Sequence, residues 1–220
     1  MSTPTMRDRD IRSHLMTELR SNHDLGDTLL IDELGLCQGN ARIDIAVVNG
    51  TLSGYEIKSE ADTLYRLPHQ VSVYSKILDY VTIVVSRPHL KKIADAVPEW
   101  WGITEAVSEK GQLAFHEVRL ALSNPSIDPF SLVQLLWRDE VLAILTDLGF
   151  TKGLSGKREL LWKKLVEAQT LEELKCRVRQ TLKLREGWRV DPLQTSNGDS
   201  FQFDAKSSHF LDSRPEPHKQ

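Results

Sequence analysis

Apolar positions change their period several times along the chain, and each change predicts an element. From Arg7 to Arg20, Ile11, Leu15 and Leu19 recur every four residues with charges between them, the pattern of an amphipathic helix. Leu29 to Leu36, LLIDELGL, predicts a strand. Cys37 to Asn40, CQGN, supplies a turn signal. In the adjoining ARIDIAVV, Ile43, Ile45 and Val47 alternate with Arg42, Asp44 and Ala46, which is strand periodicity. NGTLSG predicts a second turn, and YEIKS a third strand. From Leu64 to Leu78 the spacing returns to threes and fours through Leu67, Val71, Tyr74 and Leu78, predicting a helix. Tyr80 to Ser86, YVTIVVS, is a continuous apolar run and predicts a strand buried on both faces. HLKKIADAVPEWW predicts a short helix stopped near Pro98. GITEAV and LAFHEVRL predict a hairpin around Glu109, Lys110 and Gly111.

Ser123 to Pro129, SNPSIDP, has the composition of a linker. Past it the pattern is helical over Leu132 to Leu148, Lys157 to Glu167 and Leu171 to Leu184. From Asp191 onward Ser, Asp, Pro and Lys dominate without any period, the signature of a disordered tail in which Phe201, Phe203 and Phe210 are the groups able to dock. The expected organisation is an α/β domain over 1–122 with a mixed central sheet flanked by helices, a helical segment over 123–190, and a tail over 191–220.

Composition adds little to this plan. The 220 residues are 40% hydrophobic and 27% charged, ordinary for a globular chain. A net charge of −3 does not advertise a polyanion partner, although local basic patches remain compatible with one. The two cysteines, Cys37 and Cys176, stand far apart and form no Cys/His cluster, which predicts thiols and argues against zinc. The polar stretch Met1 to Arg12 does not read as a signal peptide, and no run of about 18 apolar residues occurs. The expectation is a cytoplasmic protein with no membrane partner.

The chemistry lies in the acidic residues inside predicted strands. Asp44 sits between Ile43 and Ile45, and Glu56 between Tyr55 and Ile57, so alternation turns both carboxylates away from those apolar neighbours. If the two strands pair around NGTLSG, Asp44, Glu56 and Lys58 converge. Converging carboxylates raise each other's pKa unless a cation lies between them, and hard oxygen donors in small number suit Mg2+. Gln70 and Tyr74, four apart on the next helix, share a face. The plainer alternative is a surface Glu56–Lys58 salt bridge, an unrelated Asp44, a solvated Gln70 and a core Tyr74.

Taken in order, Asp44, Glu56-x-Lys58 and Gln70-x3-Tyr74 resemble the active-site series of the PD-(D/E)xK nuclease superfamily, and the Gln-x3-Tyr element resembles the helix motif of its RecB-like branch. Within that superfamily, the run from RIDIAVV to YVTIVVS is similar to a family of small bacterial proteins of unassigned role. The likeness covers Leu29 to Ser86 well and the remainder loosely; Ile43 stands where the superfamily has its proline. The resemblance implies a restriction-endonuclease-like core and metal-dependent hydrolysis of phosphodiester bonds, in DNA above all, by a metal-activated water. Asp44 and Glu56 would ligate Mg2+, with Mn2+ able to substitute. The Ile57 carbonyl would be a further ligand, Lys58 the catalytic lysine, and Gln70 and Tyr74 positioning groups. Glu33 is a candidate third carboxylate, or else a partner of Arg42. Arg66 and His69 are candidates to touch a phosphate, and Asp62 is expected to cap the following helix. Many nucleases of this fold dimerise, so a homodimer or a protein partner is an expectation by analogy. The alternative is a nuclease-like fold that binds nucleic acid or protein without cutting.

Val141 to Glu167 resembles the SAP motif, a helix–loop–helix DNA-binding module, at Leu145, Leu148, Gly149, Gly156, Lys157, Leu160 and Leu165. Lys152, Lys157, Arg158, Lys163 and Lys164 would be its phosphate contacts, with Arg177, Arg179, Lys183 and Arg185 extending the basic character. The alternative is a helical hairpin that merely packs on the preceding domain.

Overall fold

The computed structural model describes residues 7–109 and 112–185. Helix α1 (Asp8–Asn22) leads into β1 (Leu29–Leu36), β2 (Ala41–Val48) and β3 (Leu52–Lys58). Then come α2 (Leu67–Tyr74), β4 (Tyr80–Ser86), a 3-10 turn (Arg87–His89), α3 (Leu90–Ala96), β5 (Gly102–Glu109) and β6 (Gln112–Arg119). Four helices complete the described chain: α4 (Pro129–Val133), α5 (Arg138–Asp147), α6 (Arg158–Ala168) and α7 (Leu171–Leu184). The strands form one sheet in chain order β1 to β6. β3–β4 and β4–β5 are parallel and the remaining pairs antiparallel, so this is an α/β fold on a mixed six-stranded sheet.

Each face is covered by a different helix. Ile11, Leu15 and Leu19 of α1 pack on Ile45, Val47, Ile57, Val84 and Ala106. On the other side Leu67, Val73 and Tyr74 of α2 and the following Ile77 and Leu78 are buried, with Tyr74 stacked on Trp101 at 6.0 Å between ring centroids. β4 lies between parallel neighbours in the middle of the sheet, and Val81, Ile83, Val84 and Val85 are wholly buried, as its unbroken apolar run requires.

β1 is irregular at the level of Asp44. Glu33 has φ +56°, in the left-handed region, and the buried phase of β1 shifts there from Leu29 and Ile31 to Leu34 and Leu36. The register continues unbroken on either side, with Asp32 opposite Ile45 and Leu34 opposite Ile43. β2 changes phase at the same level. Ile45 and Val47 face α1, whereas Ile43 lies against Gly54, where an added Cβ would meet Ile43 at 3.0 Å and Leu78 at 2.6 Å. The expected simple alternation of Ile43 with Ile45 and Val47 is therefore corrected: Ile43 and Ile45 pack on opposite faces.

Several boundaries also move. β3 begins at Leu52, because Asn49 closes the turn onto Thr51 within two residues. α2 spans eight residues, not Leu64 to Leu78, since Pro68 sits at its start, where a missing N–H is tolerated. The chain then tightens past Tyr74, while Ile77 and Leu78 keep the apolar spacing. The helix expected over Leu132 to Leu148 is two. Asp128 caps α4 through Ser131 N at 2.8 Å, and Glu140 restarts the chain by accepting from Trp137 N at 2.7 Å.

The expected boundary near Ser123 to Pro129 does not separate domains: described residues 7–185 form one compact unit. Asn124 Nδ2 donates to the Ser75 and Leu78 carbonyls at 2.8 Å each, and Asp128 N donates to Lys76 O at 2.9 Å. Asp79, 5% exposed, accepts from Leu52 N at 2.8 Å and pairs with Lys175 of α7 at 2.8 Å. The tail expected over 191–220 lies outside the described residues. Cys37 and Cys176 are free thiols. Among the described residues no helix is long and apolar enough to cross a membrane.

Candidate active site

A pocket of about 630 Å³ opens where β2 and β3 part, between the first turn of α1 and the start of α2. Asp44, Glu56, Ile57, Lys58 and Gln70 line it, and so do Glu33, Arg66 and His69. Strand geometry accounts for the first group. β2 and β3 pair only as far as Ile45 opposite Tyr55. Beyond that point Asp44 fills the gap, its Oδ2 accepting from Ile57 N at 2.7 Å in place of a strand partner.

Glu56 and Lys58 share the strand face toward α2, and both are buried. Lys58 Nζ donates to Glu56 Oε1 at 2.6 Å, and Gln70 Nε2 donates to the same oxygen at 2.6 Å. Glu56 Oε2 lies 2.7 Å from the Tyr74 hydroxyl, which also lies 2.6 Å from the Arg42 carbonyl. Tyr74 carries one proton for two acceptors. Burial first, then the charge of Asp44, push the Glu56 carboxyl up, against the pull of Lys58 and of its bonds to Lys58 and Tyr74. Burial and Glu56 likewise push the Tyr74 phenol up. The surface salt bridge and the solvated Gln70 are thus not what the structure contains.

The sequence pattern did not reveal Arg12. Its guanidinium donates to Asp44 Oδ1 at 2.6 Å and to Asp32 at 3.1 Å, with Asp8 at 3.4 Å and Glu33 at 3.5 Å. Burial opposes that charge, but Asp44, Asp32 and Asp8 together raise the group above its ordinary value. The Asp8 carboxyl is itself pushed up, by burial and then by Asp44 and Asp62, against Arg12. The only signal in the sequence was the four-residue Asp8–Arg12 spacing beside the apolar Ile11.

Glu33 reaches the pocket but pairs with Arg42 at 3.0 Å and with Arg12. Among the described residues no three His, Cys, Asp or Glu side chains group as a metal site. Asp62 does not cap α2. It accepts from Ser59 N at 2.7 Å and Ser59 Oγ at 2.6 Å, because Pro68 delays the helix to Leu67. His69 lies at the rim, its Nε2 3.1 Å from Asn40 O. The donors available to a cation are all oxygens: Asp44, Glu56 and, beside them, Gln70 Oε1, which is buried without a hydrogen-bond partner. Two repelling carboxylates and one unsatisfied amide oxygen fit a small hard cation that keeps much of its water.

The basic residues of the helical segment lie apart from these groups. Arg158 donates to Gln38 Oε1 at 2.6 Å in the β1–β2 turn and covers the Trp162 ring. Lys163 pairs with Glu159 at 3.1 Å, and Lys164 donates to Lys152 O at 2.9 Å. Lys152 and Lys157 are exposed. The loop between α5 and α6 turns on Gly149 and Gly153, with φ +85° and +74°. Leu160 is 59% exposed, while Leu161, Trp162 and Leu165 are the buried side of α6.

The sequence profile of the family described as Bacteriophage P4 protein cII matches residues 1–194. The chain belongs to that family. Protein cII of Enterobacteria phage P4 is 25% identical over 146 residues, 66% of this chain and 55% of that protein, so the alignment spans about half the length of this relative. Among solved structures, the SPO1766 protein of unknown function from Silicibacter pomeroyi is similar at 20% identity with a TM-score of 0.36, over 61% of this chain and 86% of that one.

Proposed function

We propose that this member of the family is a metal-dependent nuclease of the PD-(D/E)xK kind, hydrolysing phosphodiester bonds in nucleic acid, DNA above all, in the cytoplasm. The observation that carries the reading is the split between β2 and β3, where Asp44 bonds to Ile57 N and faces the Glu56–Lys58 pair across one pocket.

Asp44, Glu56, the Ile57 carbonyl and Gln70 Oε1 would hold Mg2+, with Mn2+ able to substitute. A cation held there would supply charge stabilisation to a phosphoryl group and acidify a water. The protein's own contributions derive from its geometry. Gln70 and Tyr74 hold the Glu56 carboxylate in one rotamer, which keeps the donor set pre-organised. Lys58, two residues on and on the same face, presents a fixed ammonium that stabilises negative charge developing on a phosphate oxygen. Arg12 aligns Asp44 and brings a second cation to the same pocket. Arg66 at the rim, and the exposed lysines of α6 and its preceding loop, would contact flanking phosphates.

One observation favours a second reading, a nuclease-like fold that binds nucleic acid or protein without cutting. Each carboxylate already has an internal cation, Arg12 at Asp44 and Lys58 at Glu56. A cleavage assay separates the two. Linear, circular and single-stranded DNA, and RNA, are incubated with the protein in Mg2+, Mn2+ or EDTA, alongside Asp44→Asn and Lys58→Met. Metal-dependent cutting lost in both variants is the expected result. Binding without cutting, unchanged in Lys58→Met, selects the second reading. Cutting that survives in both variants removes this pocket from the chemistry.

A further inference from the structure

Tyr65 sits in the turn that joins the end of β3 to α2, and at 90% exposure it is the most open large hydrophobic side chain among the described residues. Its position is imposed. Asp62 ties the start of the turn to Ser59 N at 2.7 Å, and Leu67 N closes its end on Leu64 O at 3.1 Å. Leu67 below is 1% exposed, which anchors the turn and leaves Tyr65 facing water. The neighbouring residues are those of the pocket mouth: Asp62 before it, and Arg66 and His69 after it, line the cavity that holds Glu56 and Lys58. An exposed ring on a turn tied down at both ends, with an arginine and a histidine of the pocket mouth following it in the chain, is the composition of a surface that stacks a nucleobase and contacts its phosphate.

We propose that Tyr65 is a stacking platform for one unpaired base next to the phosphodiester held in the pocket, so that the preferred ligand is single-stranded nucleic acid or a frayed end. The inference rests on the nuclease reading for the identity of that phosphodiester. A paired base keeps its faces inside the helix stack and cannot use the ring. Every base has a π-face, so the contact carries no base preference.

The test uses the full chain carrying Asp44→Asn in Mg2+, with fluorescence anisotropy on a labelled hairpin whose duplex end fixes the register of a short single-stranded overhang, in which one abasic nucleotide is moved along the overhang. Cleavage of the same strands by the parent protein runs in parallel. Expected is a loss of affinity of roughly five- to a hundredfold at one or two abasic positions, the span of an aromatic–base stack, whichever base stood there. Tyr65→Ala should bind all strands at the weakened level with a flat abasic profile, and Tyr65→Trp should restore the wild-type profile. A flat profile in the wild type, or a dip that persists in Tyr65→Ala, overturns the stacking role. If cutting occurs with that flat profile, the nuclease reading stands alone. A Tyr65-dependent dip without cutting by the parent keeps the platform and overturns the nuclease reading. Absence of both binding and cutting overturns both.

Discussion

Lys58→Met keeps most of the volume of the side chain and removes only the ammonium. In the native protein that ammonium lies 2.6 Å from Glu56 Oε1, with 6% and 2% of the two side chains exposed. Removing one partner of a buried ion pair costs about 3–5 kcal/mol, because the remaining charge is left desolvated. Glu56 keeps Gln70 and Tyr74 as partners, which places the expected loss at the lower end, about 3 kcal/mol. At about 2–4 °C per kcal/mol for a domain of this size, the melting temperature at about pH 8 should fall by about 6–12 °C. The pH dependence is the sharper test. Glu56 already titrates above the ordinary carboxylate range, through burial and Asp44. A carboxyl with a raised folded pKa contributes stability that is complete below its unfolded value and is lost as pH climbs through the folded one. Lys58 acts to lower that folded value, so its removal extends the loss to higher pH. The deficit of Lys58→Met should therefore be small below the ordinary carboxylate range and grow as pH rises above it. Thermal denaturation followed by circular dichroism across and above that range measures it. Adding Glu56→Gln should recover more than half of the deficit at the upper end, since no buried charge then remains. Equal melting at all pH values, or a deficit that does not change with pH, would refute the account of a buried, mutually dependent pair.

Other parts of the structure give simpler tests. Tyr74→Phe removes the hydroxyl shared between Glu56 and the Arg42 carbonyl, and should cost about 1–3 kcal/mol in urea denaturation while raising the Glu56 carboxyl further, since the lost bond favours its ionised form. Gly54→Ala would place a Cβ 2.6 Å from Leu78 Cδ1 and 3.0 Å from Ile43 Cγ1, so overpacking of about 1–3 kcal/mol should appear as a lower denaturation midpoint. Asp79→Ala strands the Leu52 N–H and releases Lys175, and should cost about 2 kcal/mol. Faster hydrogen exchange in both β3 and α7 would identify that contact as the tie between them.

Periodicity by itself determined the order of α-helices and strands from Asp8 to Arg119 and the α/β class. It also set two local pairings within the site. Glu56 and Lys58 share a face because side chains alternate along a strand, and Gln70 and Tyr74 share one because four residues make about one helical turn. Such relations are short-range, and backbone geometry alone dictates them. The remainder depended on contacts between distant segments. Alternation places Ile43 with Ile45 only if the ladder is regular, and the left-handed Glu33 breaks that condition. Arg12 stands 32 residues from Asp44, and nothing in the pattern of α1 distinguishes an arginine aimed at a strand from a solvated one. Asn124 and Asp79 carry loop-like side chains, yet they join the C-terminal helices to the sheet by satisfying buried backbone groups. Buried polar atoms must find partners, and which partners they find is decided by the three-dimensional packing, where residues far apart in the chain meet.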